Sequence, residues 1–168
     1  MKLARWEITG VDDPLQKGFS LALFISGCMK RCEGCQNPEL QDFSYGDSIT
    51  IKRVKALIRE RQDLISSISY VGGDWMYHRK NYRKIARFSK EINIKNILYT
   101  GLRVVELEWD IVELSDIIID GEYLEDQNVE PLFPASLNQE VYIEGSKLTR
   151  EEILQLPINR RLENVVEY

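Results

Sequence analysis

Leu21-Ala22-Leu23-Phe24-Ile25-Ser26-Gly27-Cys28-Met29-Lys30-Arg31-Cys32-Glu33-Gly34-Cys35-Gln36-Asn37 joins a short apolar run to a polar loop that carries every cysteine of the chain. The run Leu21–Ile25 stops at Ser26-Gly27, as a buried strand does. Behind it, Cys28, Cys32 and Cys35 stand in a C-x₃-C-x₂-C spacing. Three thiolates on one short loop can ligate three irons of a [4Fe–4S] cubane and leave the fourth iron open to an exogenous ligand. Two other readings compete. Free cysteines are often plain packing residues, but here they sit among Lys30, Arg31 and Glu33 with no cysteine elsewhere. Structural zinc needs a fourth ligand, and the only histidine, His78, lies far along the chain among Met76, Tyr77, Arg79 and Lys80, where a solvated helix start is expected.

Outward from this stretch, apolar runs alternate with segments of helical spacing. Ile51 to Ile65 places Ile51, Val54, Leu57, Ile58, Leu64 and Ile65 at roughly helical intervals, and Ile68-Ser69-Tyr70-Val71 reads as a second strand stopped by Gly72-Gly73. Tyr77 to Ile92 is a basic, helix-compatible stretch, and Ile97-Leu98-Tyr99 is a third strand ending at Thr100-Gly101. Arg103 to Leu114 reads as helical, and Ile117-Ile118-Ile119 as a fourth strand running into Asp120-Gly121. A looser segment rich in Glu, Asn and Pro follows, then a last strand at Val141-Tyr142-Ile143. Thr149-Arg150-Glu151-Glu152 fits a capping box that opens a short helix, with Pro157 after it.

This alternation predicts an α/β fold with a mainly parallel, open sheet and crossover helices. Cys28, Gly72-Gly73-Asp74, Thr100 and Asp120 all fall just past the C-terminal end of a strand, the edge at which parallel α/β folds bind ligands. Gly72, Gly73, Asp74, Thr100 and Asp120 are therefore the candidate binding residues beside the cysteines. Each also has a plainer reading as an ordinary strand-ending turn.

At 168 residues, without repeats or linkers, the chain is read as one domain spanning residues 1–168. The net charge of −5 argues against nucleic acid as partner, because phosphate binding needs a basic surface. The N-terminus lacks the apolar core of a signal peptide, and no apolar run approaches the ~20 residues that span a bilayer. Three clustered cysteines make a poor disulfide framework, which points to a reducing cytoplasm where thiols remain available to metals.

At the cysteine motif the sequence resembles the radical S-adenosylmethionine superfamily, whose signature is C-x₃-C-x₂-C after the first barrel strand. From Phe24-Ile25-Ser26-Gly27-Cys28 through Cys32-Glu33-Gly34-Cys35-Gln36-Asn37 it is similar to the activating proteins of anaerobic (class III) ribonucleotide reductases, which often carry Gly before the third cysteine. Gly72-Gly73-Asp74, Tyr99-Thr100-Gly101, Ser115-Asp116-Ile117-Ile118-Ile119-Asp120-Gly121 and Ser136-Leu137-Asn138-Gln139 resemble later segments of that family. Trp75 stands where the family usually has Pro, Ala135 where Gly is common, and Glu140 where a basic residue is common.

The resemblance implies a partial (β/α) barrel of the radical S-adenosylmethionine type. It implies that Cys28, Cys32 and Cys35 bind a [4Fe–4S] cluster whose open iron is chelated by S-adenosylmethionine. Reductive cleavage of that cofactor would yield a 5′-deoxyadenosyl radical, which takes a hydrogen atom from a glycine of the reductase. Backbone groups at Gly72-Gly73 would approach the methionine amino group, with Asp74 as an acceptor or a loop fastener. Thr100 and Asp120 would help hold the carboxylate, in some relatives through a cation, and Trp75 and Tyr77 are candidates for packing near the adenine. No ferredoxin-like cysteine insertion is present, so the electron donor is expected to be a separate protein such as a flavodoxin. The competing functions are a radical enzyme acting on another glycyl-radical enzyme, a small molecule or a peptide, and a non-catalytic zinc-binding interaction module.

Overall fold

The computed structural model describes residues 1–130 and 132–163, the last three by their helical backbone alone. In chain order it contains β1 (Lys2–Thr9), β2 (Phe19–Ile25), β3 (Asp47–Ser48), α1 (Ile51–Arg59), β4 (Ile65–Gly72), α2 (Arg79–Glu91) and β5 (Lys95–Tyr99). Then follow α3 (Trp109–Leu114), β6 (Ile117–Asp120), β7 (Glu140–Ile143), β8 (Ser146–Lys147), α4 (Arg150–Leu154) and α5 (Pro157–Glu163). The strands form one sheet in the order β3-β1-β2-β4-β5-β6-β7-β8, and the two outermost strands do not meet, so the sheet is open.

The fold is mixed α/β, and its open sheet has the expected parallel strands at its centre with antiparallel strands added on both flanks. Strands β2, β4, β5 and β6 are parallel neighbours, whereas β1 and β3 on one side and β7 and β8 on the other are antiparallel. Parallel neighbours need a long crossover, and here each carries one of α1, α2 and α3; antiparallel neighbours can be joined directly. The β7–β8 turn is a two-residue hairpin, Glu144-Gly145, with φ of 49° and 79°, the left-handed pair that such a turn demands.

Residues alternate between the two faces of the sheet. Leu21, Leu23, Ile25, Ile68, Tyr70, Leu98 and Ile118 face α1, α2 and α3 and form the larger core with Val54, Leu57, Ile58, Tyr82, Ile85 and Ile111. Ile97, Ile117, Ile119 and Val141 face the other way and pack under Phe133, Ile153, Leu156 and Ile158. Each fully buried aliphatic side chain of this kind contributes about 1.5–3 kcal/mol.

Local chemistry sets the helix limits. Thr50 caps α1 by accepting from the Arg53 N–H at 3.2 Å, and Val54, Leu57 and Ile58 are its buried stripe. The helix ends at Arg59 rather than running to Ile65, because Ile65 opens β4 opposite Phe19. Residues Trp75–His78 form a 3-10 turn before α2, and Val104–Glu106 form another before α3, separated from it by extended backbone at Leu107 and Glu108. The capping box at Thr149 and Glu152 is present, with both reciprocal hydrogen bonds. Among the described residues no helix is long and apolar enough to cross a membrane.

Candidate functional site

Strand β2 delivers the chain to the cysteine loop at the C-terminal edge of the parallel strands, and backbone hydrogen bonds fix the loop's base. The Gly27 N–H donates to Leu40 O at 2.7 Å, and the Asp74 N–H donates to Gly27 O at 3.1 Å. The Gly73 N–H donates to Ile25 O at 2.7 Å. The cysteine loop and the end of β4 are thus stitched together main chain to main chain.

This explains Gly72-Gly73 differently from the sequence reading. A Cβ on Gly73 would stand 2.8 Å from Gly27 O, and one on Gly72, whose φ is +95°, 2.8 Å from Ile25 O. The missing side chains make room for the cysteine loop's own backbone, so the pair is glycine for packing.

Cys28, Cys32 and Cys35 are free, half-buried thiols. All three line a cavity of about 940 Å³, together with Gly72, Gly73, Asp74, Thr100 and Gly101 from the strand ends and Val71, Tyr99 and Ile119 from the inner face of the sheet. Burial pushes the Cys28 thiol above its ordinary pKa, against the pull of backbone N–H groups of Lys30 and Arg31. Burial likewise raises Cys32, opposed by the backbone N–H of Tyr123. Soft sulfur donors with amides directed at them match what an iron–sulfur cluster requires. Among the described residues no three His, Cys, Asp or Glu side chains converge to hold a single metal ion, whereas a cubane takes one thiolate at each of three separated corners.

The zinc alternative also lacks its fourth ligand. His78 Nε2 lies 3.0 Å from Ser26 O, the ring is half-buried, and burial lowers its pKa, so the neutral ring donates to that carbonyl. It is a brace under the loop rather than the solvated residue expected.

Asp74 ties the ends of β4 and β5 together. Thr100 Oγ1 lies 3.0 Å from both of its carboxylate oxygens, the Gly101 N–H donates to Oδ2 at 3.0 Å, and the Met76 N–H donates to Oδ1 at 2.9 Å. The carboxylate is buried, which raises its pKa against these three donors. Thr100 lines the cavity with its hydroxyl already committed to Asp74.

Of the candidates, the structure does not bring Asp120, Trp75 or Tyr77 to the cavity. Ile119 and Gly121, on either side of Asp120, line the cavity, but strand alternation turns Asp120 to the opposite face. There it is fully buried, accepting from Arg103 Nη1 at 3.0 Å and from the Val104 N–H at 2.7 Å. Trp75 is likewise a core residue, edge-on to Tyr70 and donating through Nε1 to Leu23 O at 3.2 Å.

The part of the site hidden from sequence reasoning is the strap formed by residues 121–130 and 132–139, which crosses the cysteine loop and adds Glu122, Tyr123, Phe133, Pro134 and Gln139 to the lining. Its fastener is the segment Ser136-Leu137-Asn138-Gln139. The Ser136 hydroxyl accepts from the Leu124 N–H at 3.2 Å and donates to Leu124 O at 3.1 Å. Asn138 Nδ2 donates to Glu122 O at 2.8 Å, and Gln139 Nε2 to Gly121 O at 3.1 Å. The only sequence signal was that motif, which carried no role until its partners were visible.

The family model described as a 4Fe-4S single cluster domain matches residues 16–142. The chain is similar to the anaerobic ribonucleoside-triphosphate reductase-activating protein of Enterobacteria phage T4, 28% identical over 131 residues that cover 74% of this chain and 84% of that protein. The protein of the same name in Escherichia coli K12 is 28% identical over 137 residues, covering 74% and 88%. That of Vibrio cholerae is 29% identical over 121 residues, covering 66% and 77%.

Proposed function

The chain belongs to the family of 4Fe-4S single cluster domains, and we propose that it is a radical S-adenosylmethionine activase that installs a glycyl radical on an anaerobic ribonucleotide reductase. Supporting this reading is one observation above all: the three thiols and the strand-end groups of Gly72, Gly73, Asp74 and Thr100 line one cavity. Similarity to proteins named as activators of that reductase supplies the partner. On this reading the open sheet is a partial (β/α) barrel, residues 1–168 act as one domain in the cytoplasm, and a separate flavodoxin-type protein delivers electrons.

Cys28, Cys32 and Cys35 would hold the cluster, and when bound it supplies, with S-adenosylmethionine, the one-electron chemistry that opens the sulfonium. The protein's part is to bind, orient and exclude water. The Asp74–Thr100 link fixes the rim's geometry, the Tyr123 and Lys30 amides face sulfur, and the strap covers the cysteine loop.

Anaerobic reconstitution is expected to give a brown protein with about four irons and four sulfides per chain that releases 5′-deoxyadenosine from S-adenosylmethionine on reduction. A colourless protein holding one tight zinc would overturn the proposal.

Gly73→Val is expected to lower iron uptake severalfold before it affects cofactor affinity. Its side chain would press on the Gly27 backbone, and overpacking of this kind costs about 1–3 kcal/mol. Iron analysis and circular dichroism on the reconstituted variant check this; wild-type iron content would show that the loop can yield.

A further inference from the structure

The charges around the cavity are uneven. Among the described residues its lining contains the acids Asp74, Glu122 and Glu130 and a single cation, Lys30. Asp74 is committed to Thr100, Gly101 and Met76, and Glu130 accepts from Gln36 Nε2. Lys30, by contrast, makes no side-chain hydrogen bond or ion pair with any described residue. It is half-buried, and its stem lies across the end of β5: Cγ and Cδ are 3.1 and 3.6 Å from where a Cβ on Gly101 would stand. Glycine at 101 therefore gives the stem its path along the rim of the cavity that Lys30 lines.

A half-buried lysine at a cavity edge, with no acceptor for its ammonium among the described residues, is favoured when an anion arrives with the ligand. The groups that the sequence suggested for a ligand carboxylate are engaged elsewhere. The Thr100 proton is shared between the oxygens of Asp74, and Asp120 is turned away and paired with Arg103. The Arg103 guanidinium is itself tied by Nη1 to Asp120 and to Asn138 O.

We propose that the Lys30 ammonium is the positioning residue for the carboxylate of the methionyl end of S-adenosylmethionine. This rests on the functional reading above. A lysine suits the task because it is a compact point charge on a flexible stem, able to reach one oxygen of a carboxylate without dictating its plane.

The test is binding, measured by equilibrium dialysis on cluster-loaded, unreduced protein so that nothing turns over. The probes are S-adenosylmethionine and its decarboxylated analogue. Lys30→Met is expected to weaken S-adenosylmethionine by about ten- to a hundredfold, the worth of a charged hydrogen bond, at unchanged iron content. It should leave the affinity for the decarboxylated analogue where the wild type has it, and Lys30→Arg should recover most of the loss. Lys30→Gln replaces the methionine variant should the latter fail to take up iron. Equal affinity for S-adenosylmethionine in wild type and variant overturns the proposal, and so does an equal loss for both ligands, which would make Lys30 a support of the loop. Wild-type protein that loads its cluster but binds neither ligand overturns the functional reading itself.

Discussion

Cys32→Ala is expected to leave a folded protein that retains little iron and releases 5′-deoxyadenosine at less than a hundredth of the wild-type rate. The bound on the rate follows from a comparison: disturbing groups that merely orient metal ligands costs about 10–100-fold, and this change removes a ligand. The fold should survive because nothing in either apolar core depends on the thiol. The loop's base is held by the Gly27 N–H on Leu40 O and the Asp74 N–H on Gly27 O, main-chain contacts that alanine leaves in place, with Leu40 fully buried beneath them. Cys28→Ala and Cys35→Ala should behave alike, since all three thiols line the same cavity. Iron and sulfide analysis, circular dichroism and product assay on the same preparation separate cluster loss from unfolding. Wild-type iron and product in Cys32→Ala would rule out the ligand set.

Much of this arrangement was legible in the sequence because it is local. The apolar runs at Leu21–Ile25, Ile68–Val71, Ile97–Tyr99 and Ile117–Ile119 are buried on both faces, so their composition marks them as strands, and each ends at a polar or glycine residue. Strand β1 escaped because only Leu3 of its eight residues is buried, leaving no apolar run to read. The β7–β8 hairpin hung on Glu144-Gly145, a weaker signal than Asn-Gly. The site failed in a different way. That Asp120 closes a rim position is visible in the chain, but which face it takes is decided by pairing with β7, from Asp120 to Glu140, and by Arg103 arriving beneath it. The reason for Gly72-Gly73 is likewise non-local, since the atoms they avoid belong to residues 25 and 27.

Mixing the reduced, cluster-loaded protein with a class III ribonucleotide reductase from the same cell is expected to produce a glycyl radical signal in electron paramagnetic resonance. 5′-Deoxyadenosine should appear in amounts comparable to that radical, and little should form without the reductase. A radical that can attack a glycine α-carbon must be kept from water and thiols until its target arrives. Here the rim is partly bare: Met29 in the cysteine loop is 66% exposed, and Val11 at the cavity edge 60%. A cavity of about 940 Å³ beside such a rim suits a target carried in on a loop of a larger protein, which seals the site as it binds. Of the three departures from the family pattern, two have structural employment away from the cavity. Trp75 fills the core, and Glu140 accepts from Lys147 Nζ at 2.6 Å and from the Tyr142 hydroxyl at 2.7 Å. Only Ala135 lines the cavity. A reductase with alanine at the radical glycine should give no stable signal. Should the wild-type reductase stay silent while a peptide or metabolite stimulates deoxyadenosine release, the activator assignment falls, and the changed specificity would be sought at Ala135 and the strap around it.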